Sequence, residues 1–164
     1  MAVGASPSPR PSHRGRGDVK IPRSLLRGGS FIFLGSGTVF ALTDNGDNTI
    51  TDSRTSLVWQ KQDDGTTRTW EDAITYCEGL TLAGQSDWRM PNIKELITIV
   101  DYTTANPEIN WTYFPNTHAT VYWSSSTGAD FTFTAWSLHF GYGTSDTSDK
   151  TTFPEYVRCV RGGQ

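Results

Sequence analysis

The sequence predicts a single α+β domain behind a basic tail. Three observations carry that prediction: a glycine-rich, aromatic composition, two capped helical segments near the middle, and strand-like text on either side of them. A chain of 164 residues holds one domain with a proper core and is short for two. The 35% hydrophobic and 19% charged residues, with 16 Gly, 6 Trp, 6 Tyr and 8 Phe, describe a turn-rich globular protein with few long helices.

Charge is unevenly placed. Residues 1–40 carry Arg10, Arg14, Arg16, Lys20, Arg23 and Arg27 against Asp18, a balance of +5, and the remainder carries −8. A domain at −8 repels phosphate and sulfate polymers unless its cations cluster, which argues against nucleic acid and favours a neutral or cationic ligand.

The elements follow in order. MAVGASPSPRPSHRGRGDVK has almost nothing apolar to bury and reads as a disordered tail. In IPRSLLRGGSFIFLGSGTVFALT, Arg23 and Arg27 precede an apolar run from Ser30 to Phe40 that ends in small residues. That order resembles a secretory signal weakened by glycines, or else the segment holds a first strand, Thr38 to Leu42. The run is too short to span a bilayer, so no membrane insertion is expected. We place the domain boundary after residue 37, with the folded domain over 38–164.

TDNGDNTITDSRTSLVWQKQ reads as a hairpin or meander, with Asn45-Gly46-Asp47 and Asp52-Ser53 as turns and strands at Thr49 to Thr51 and Leu57 to Gln60. Asp44, Asp47 and Asp52 lack the spacing and terminal Glu of a calcium loop. TWEDAITYCEGLTLAG is a helix capped by Thr69, with Trp70, Ala73, Ile74, Cys77 and Leu80 on one face, so Cys77 points into the core. PNIKELITIVDY is a second helix, in which Asn92 and Glu95 form a capping box and Leu96, Ile97, Ile99 and Val100 supply the apolar side. After Tyr102 the helical period ends. Strands are expected at Val121 to Ser124, at Ala135 to Phe140 with Trp136, Leu138 and Phe140 on one face, and at Tyr156 to Arg161. Cys77 and Cys159 have no CxxC spacing and no histidine-rich run beside them, which excludes an obvious metal site; two buried thiols and one disulfide both fit.

Several long motifs then stand in a telling order: TDNGDNTITDSRTSLVWQK, Trp70-x-x-Ala73-x-x-Tyr76-Cys77, LAGQSDWRMPNIKELITIVDY, FPNT, YWSSS and YVRCVRGGQ. From about Thr43 to Gln164 they closely resemble the C-terminal domain family of the Legionella collagen-like adhesin (Lcl C-terminal domain). The resemblance implies a C-type-lectin-like fold in secreted, periplasmic or cell-surface bacterial proteins, related in architecture to formylglycine-generating enzymes and to retroelement-diversified receptor-binding proteins. It also implies a disulfide between Cys77 on the first helix and Cys159 on the last strand, a closure that contributes roughly 4 kcal/mol in the chain-entropy model. Within the motifs, Asp87, Trp88, Arg89, Pro91 and Asn92 are expected to make a rigid corner with Arg89 paired internally. Trp123 and Trp136 are expected in the core, and Arg158 half-buried against an acid such as Asp101.

The functional expectation is a binding module. The segment STGADFTFTAWSLHFGYGTSDTSDK sets aromatic rings among Ser, Thr and Asp with little regular structure, and that mixture suits recognition: rings give contact area at small entropic cost and short polar groups adapt their hydrogen bonds. Thr127, Asp130, Phe131, His139, Tyr142 and Asp146 are the leading contact candidates, with Trp111 and Tyr113 as neighbours. No calcium site is expected, because the Glu-Pro-Asn and Trp-Asn-Asp patterns of calcium-dependent lectins are missing and Asn106-Pro107-Glu108 has the reversed order. The partner expected is a glycan or a surface protein, and an exposed aromatic patch is compatible with homo-oligomers. No cofactor, metal or catalysis is expected: an oxidase of this fold needs reactive cysteines, and His118, His139, Asp130 and Asp146 lack a third group at a telling spacing. A retroelement-diversified display scaffold is the alternative function.

Overall fold

The helices begin where their caps place them. In the computed structural model, which describes residues 32–34, 38–40 and 42–163, Thr69 accepts a hydrogen bond from the Asp72 backbone N–H and its hydroxyl donates to the Asp72 carboxylate at 2.7 Å, opening α1 (Trp70–Glu78). Asn92 and Glu95 close a reciprocal capping box at the start of α2 (Ile93–Ile97). This helix is shorter than its apolar pattern predicts. The run Ile97-Thr98-Ile99-Val100 is β-branched throughout, the Thr98 hydroxyl bonds back to the Glu95 carbonyl at 2.7 Å, and Arg54 captures the Thr98 carbonyl at 2.8 Å. Ile97 is consequently exposed, while Leu96 and Ile99 are buried.

The strands are β1 (Ile32–Leu34), β2 (Thr38–Phe40), β3 (Leu42–Asp44), β4 (Thr49–Asp52), β5 (Leu57–Gln60), β6 (Val121–Thr127), β7 (Thr134–His139), β8 (Thr144–Asp149) and β9 (Val160–Gly162). β1 and β2 pair as an antiparallel hairpin, and the rest form two antiparallel sheets in the orders β3-β4-β5-β9 and β6-β7-β8. The architecture is thus α+β, as the sequence predicts. Residues 1–31 and 35–37 of the expected tail lie outside the described residues. No helix among the described residues is long and apolar enough to cross a membrane.

Two core clusters meet at the second sheet. Tyr122 and Leu138 belong to the cluster of Ile50, Trp59, Leu96, Ile109, Phe114, Phe140 and Val160. Trp123 and Ala135 belong to the cluster of Ala73, Cys77, Trp88, Met90, Val157 and Cys159. Because successive side chains of a strand face opposite ways, both faces of the β6-β7 pair are buried, one in each cluster. β8 is the edge strand, and its TSDT segment is exposed. It is also a strand that the expectation of little regular structure misses: Thr144–Asp149 is all Ser, Thr and Asp, so no apolar alternation marks it, and full pairing with β7 from Thr134↔Asp149 to His139↔Thr144 imposes it. Trp136 departs from its expected core position. It lies opposite Thr147 on the edge strand and is half-buried.

Arg158 requires the largest correction. It is fully buried and its partner is Asp63 at 3.0 Å, whose side chain is 1% exposed, instead of Asp101. Asp101 bonds its own loop, accepting from the Thr103 N–H and hydroxyl. The Arg158 guanidinium also donates to the Gln60 and Lys61 carbonyls and to the Thr117 hydroxyl. Asp63 in turn accepts from the Tyr122 hydroxyl at 2.7 Å, from Asn116 and from the Gly65 N–H. Cys77 and Cys159 form a disulfide with Cα atoms 5.5 Å apart, and the Cys159 N–H and C=O both bond to Gln60 on β5. Arg89 is paired internally with Glu95 through two short bonds, as expected of the corner.

Two stability outcomes follow from these contacts. Replacing Cys77 and Cys159 by Ala is expected to cost about 4 kcal/mol, read as a lowered denaturant midpoint in equilibrium unfolding. Arg158→Met is expected to cost about 3–5 kcal/mol because it strands a buried Asp63 charge. Adding Asp63→Leu to it should recover part of that loss, and a loss that instead adds fully would deny their coupling.

Candidate functional site: the two ends of the second sheet

The sequence-predicted contact residues do not form one surface. Thr127, Asp130 and Phe131 lie at one turn of the β6-β7-β8 sheet and His139 and Tyr142 at the other, the two separated by β7 over about 17–20 Å.

At one end, Thr127 closes β6 and residues 128–133 make the turn. The Gly128 and Thr134 backbones bond across it at 2.9 Å, and a Cβ at Gly128 would collide with the Thr134 hydroxyl. Phe131 and Phe133 stand side by side, ring centroids 5.4 Å apart, each 59% exposed, and Asp130 is exposed on the same turn. Lys150, leaving β8, holds this end together. Its ammonium donates to the Thr127 hydroxyl at 3.1 Å and the Thr132 carbonyl at 2.9 Å and lies 4.0 Å over the Trp70 ring. Trp70 is itself anchored to the Ser124 carbonyl at 2.8 Å.

At the other end, His139 closes β7 and residues 140–143 turn into β8. Phe140 fixes this turn through Thr120 and Glu108, its carbonyl accepting from the Glu108 N–H at 2.6 Å. His139 Nδ1 accepts from the Gly141 N–H, and its ring lies 4.5 Å from that of Tyr142. Tyr102 joins them from across the chain, its hydroxyl donating to the Gly143 carbonyl at 3.0 Å. Gly143 has a φ of +60°, and a Cβ there would collide with Glu108 Oε2 and the Tyr102 ring. Tyr102 and Tyr142 are 68% and 69% exposed.

The other candidates lie apart. Asp146 sits mid-strand on β8, opposite Ser137, its carboxylate accepting from the Thr147 N–H. Trp111 is exposed on the loop that Asn110 begins, whereas Tyr113 is a core residue, 6% exposed, and so is withdrawn from the contact set. Three participants escape the sequence reading: Tyr102, Glu108 and Lys150. Each acts through a partner tens of residues away, which no local pattern announces.

A separate cavity of about 420 Å³ is lined by Ile74, Glu78, Arg89, Met90, Asn92, Glu95, Ser125 and Gly163. Its guanidinium is committed to Glu95 and to the Gly162 carbonyl, so it offers no clamp for an anion. Among the described residues no group of three or more His, Cys, Asp or Glu is placed to hold a metal ion.

Two carboxyls are displaced from their ordinary range. Hydrogen bonds from Thr151 and Thr152 bring half-buried Asp149 down to about 2. Burial pushes Glu155 up to about 7. Its neighbour Arg68 pairs with it through the backbone while giving its guanidinium to Asp64.

Set against known families, residues 48–161 match the model of the Lcl C-terminal domain. No curated protein matches the chain.

The Glu155 shift has a definite sign. A carboxyl raised from 4.5 to about 7 in the folded state favours folding while protonated, so this contribution is present below about pH 4.5 and fades as pH rises through 7. Glu155→Gln should therefore match the wild type in melting temperature near pH 4.5 and exceed it near pH 8; thermal melts across that range check this, and parallel curves would refute it.

Proposed function

The chain belongs to the Lcl C-terminal domain family, and from that premise we propose that it is an adhesin-type module that binds a glycan or a surface protein without calcium and performs no covalent chemistry. The observation that carries this reading is the presentation of large exposed rings, Phe131 with Phe133 and Tyr102 with Tyr142, on turns at the two ends of a sheet whose β6-β7 faces are both buried. Rings held out in water by a rigid scaffold offer contact area whose ordering cost is already met by folding. The lectin-like fold belongs to the same reading. It is supported by the antiparallel pairing of β5 with the C-terminal β9 and by the bridge from α1 to the residue before β9.

Secretion to the periplasm, cell surface or medium is part of the proposal, supported by a disulfide that persists in oxidising compartments. Against oxidase chemistry stands the use of both cysteines in that bridge, which leaves no thiolate as the chemical agent.

A glycan and surface-protein array probed with the oxidised protein tests the proposal. Saturable binding that survives EDTA and falls at least about tenfold in either Phe131→Ser/Phe133→Ser or Tyr102→Ser/Tyr142→Ser is expected, since central aromatic anchors dominate such interfaces. Binding abolished by EDTA would overturn calcium independence, and binding indifferent to both pairs would overturn the location.

A further inference from the structure

The two ends of the sheet differ in charge, and the difference identifies a ligand class for one of them. Between Lys94 and Lys150 the sequence has no lysine or arginine, yet it carries Glu95, Asp101, Glu108, Asp130, Asp146 and Asp149. Three other rings are covered by the protein's own cations: Lys150 lies 4.0 Å over Trp70, Arg68 4.0 Å over Tyr76 and Arg158 5.1 Å over Phe114. Tyr102 and Tyr142 instead turn their rings to solvent within a stretch that supplies no such cation.

Glu108 adds a second, independent observation. Its backbone is fixed on both sides, the N–H to the Phe140 carbonyl at 2.6 Å and the C=O to the Asp101 N–H at 3.0 Å. Its Oε2 is buried beside Gly143 and Tyr102 and accepts no hydrogen bond. A carboxylate oxygen taken out of water without a donor is a standing cost, which a cation at the partly exposed remainder of the group relieves. Thr144 and Ser145, both exposed, follow this turn on β8 with their side chains on opposite faces of the strand.

We propose that the Tyr102–Glu108–Tyr142 end is a recognition site for an amino sugar, with the sugar's ammonium set against the Glu108 carboxylate and its ring face against the tyrosines. The proposal rests on the ligand-binding reading above and names the ligand class. Aromatic faces attract both the C–H face of a pyranose and an adjacent ammonium, and an exposed hydroxyl at the start of β8 suits a polyhydroxylated ring. A lysine side chain would use the carboxylate and one ring and leave the second exposed ring without a partner.

Titration calorimetry of the oxidised full chain with a glucosamine hexasaccharide, its fully N-acetylated counterpart and hexalysine tests this. Acetylation removes the ammonium and keeps the sugar ring. The expected result is a preference of at least about tenfold for the free amine that shrinks as salt is raised. Glu108→Gln and Tyr142→Ser should each abolish the preference, while Glu71→Gln, the same charge change on α1, retains it. Tyr142 is an exposed ring, so its variant keeps the test valid whatever Glu108→Gln does to the fold.

Equal binding of the two oligosaccharides would overturn the role of the ammonium. Hexalysine binding as tightly as the amino sugar would move the site to a protein partner, and equal loss in Glu71→Gln would reduce the effect to general charge attraction. If neither oligosaccharide binds the wild type while an array ligand does, the amino-sugar assignment fails and the binding-module reading stands.

Discussion

The rest of the structure depends on one buried ion pair, Arg158 with Asp63. Neither side chain reaches solvent, so each depends on the other and on the neutral groups around them. Those neighbours come from three parts of the chain. Gln60 ends β5 and Lys61 follows it, Asn116 and Thr117 lie in the loop before the second sheet, and Tyr122 is on β6. Both guanidinium NH groups of Arg158 and both Asp63 oxygens are paired, whereas Arg158 Nε and Asn116 Oδ1 are buried without a partner, so the network is held by its paired groups and carries a residual desolvation cost. Burial also pushes the Tyr122 hydroxyl well above its ordinary pKa, keeping it a donor to Asp63.

One residue further along, the disulfide ties the same segment to α1, and Gln60 bonds both the N–H and the C=O of Cys159. Ion pair and bridge together pin the stretch 157–160 between the two sheets, where Val160 pairs with Trp59 on one side and bridges to Arg89 on the other. The second sheet thereby acquires a fixed frame. Tyr156 stays hydrogen-bonded to the edge of β6, and only the turns and β8 are left to face water. Sequence can vary at those turns without disturbing the core, because both β6-β7 faces are already filled.

The turns are not equivalent. The Phe131–Phe133 end is closed by its own lysine, which serves the Trp70 ring and two oxygen acceptors at once. The Tyr102–Tyr142 end holds a carboxylate with one oxygen unpartnered and rings that no cation of its own stretch covers. A single recognition surface read from the linear order of residues 127–146 therefore becomes two chemically distinct ends, and a ligand reaching both would have to extend along the sheet.

Much of this molecule is determined by the sequence by itself. Thr69 and Asn92 place the helix starts because capping is a local event, settled within three residues. Strand β5 lies at Leu57–Gln60 as its text predicts, and Cys77 faces the core because the period of α1 puts it there. What only the tertiary structure decided are the contacts whose partners are remote. Arg158 chose Asp63, 95 residues away, over Asp101 because burial selects whichever acid the fold brings inside, and charge type carries no address. Strand β8 exists through pairing with β7, since a run of Ser, Thr and Asp has no apolar alternation of its own. Tyr102 reaches Gly143 over 41 residues, and its place in the candidate site follows from that closure. Local interactions are written into neighbouring letters, whereas a binding surface is assembled from residues whose proximity the chain entropy of folding must first be overcome to create.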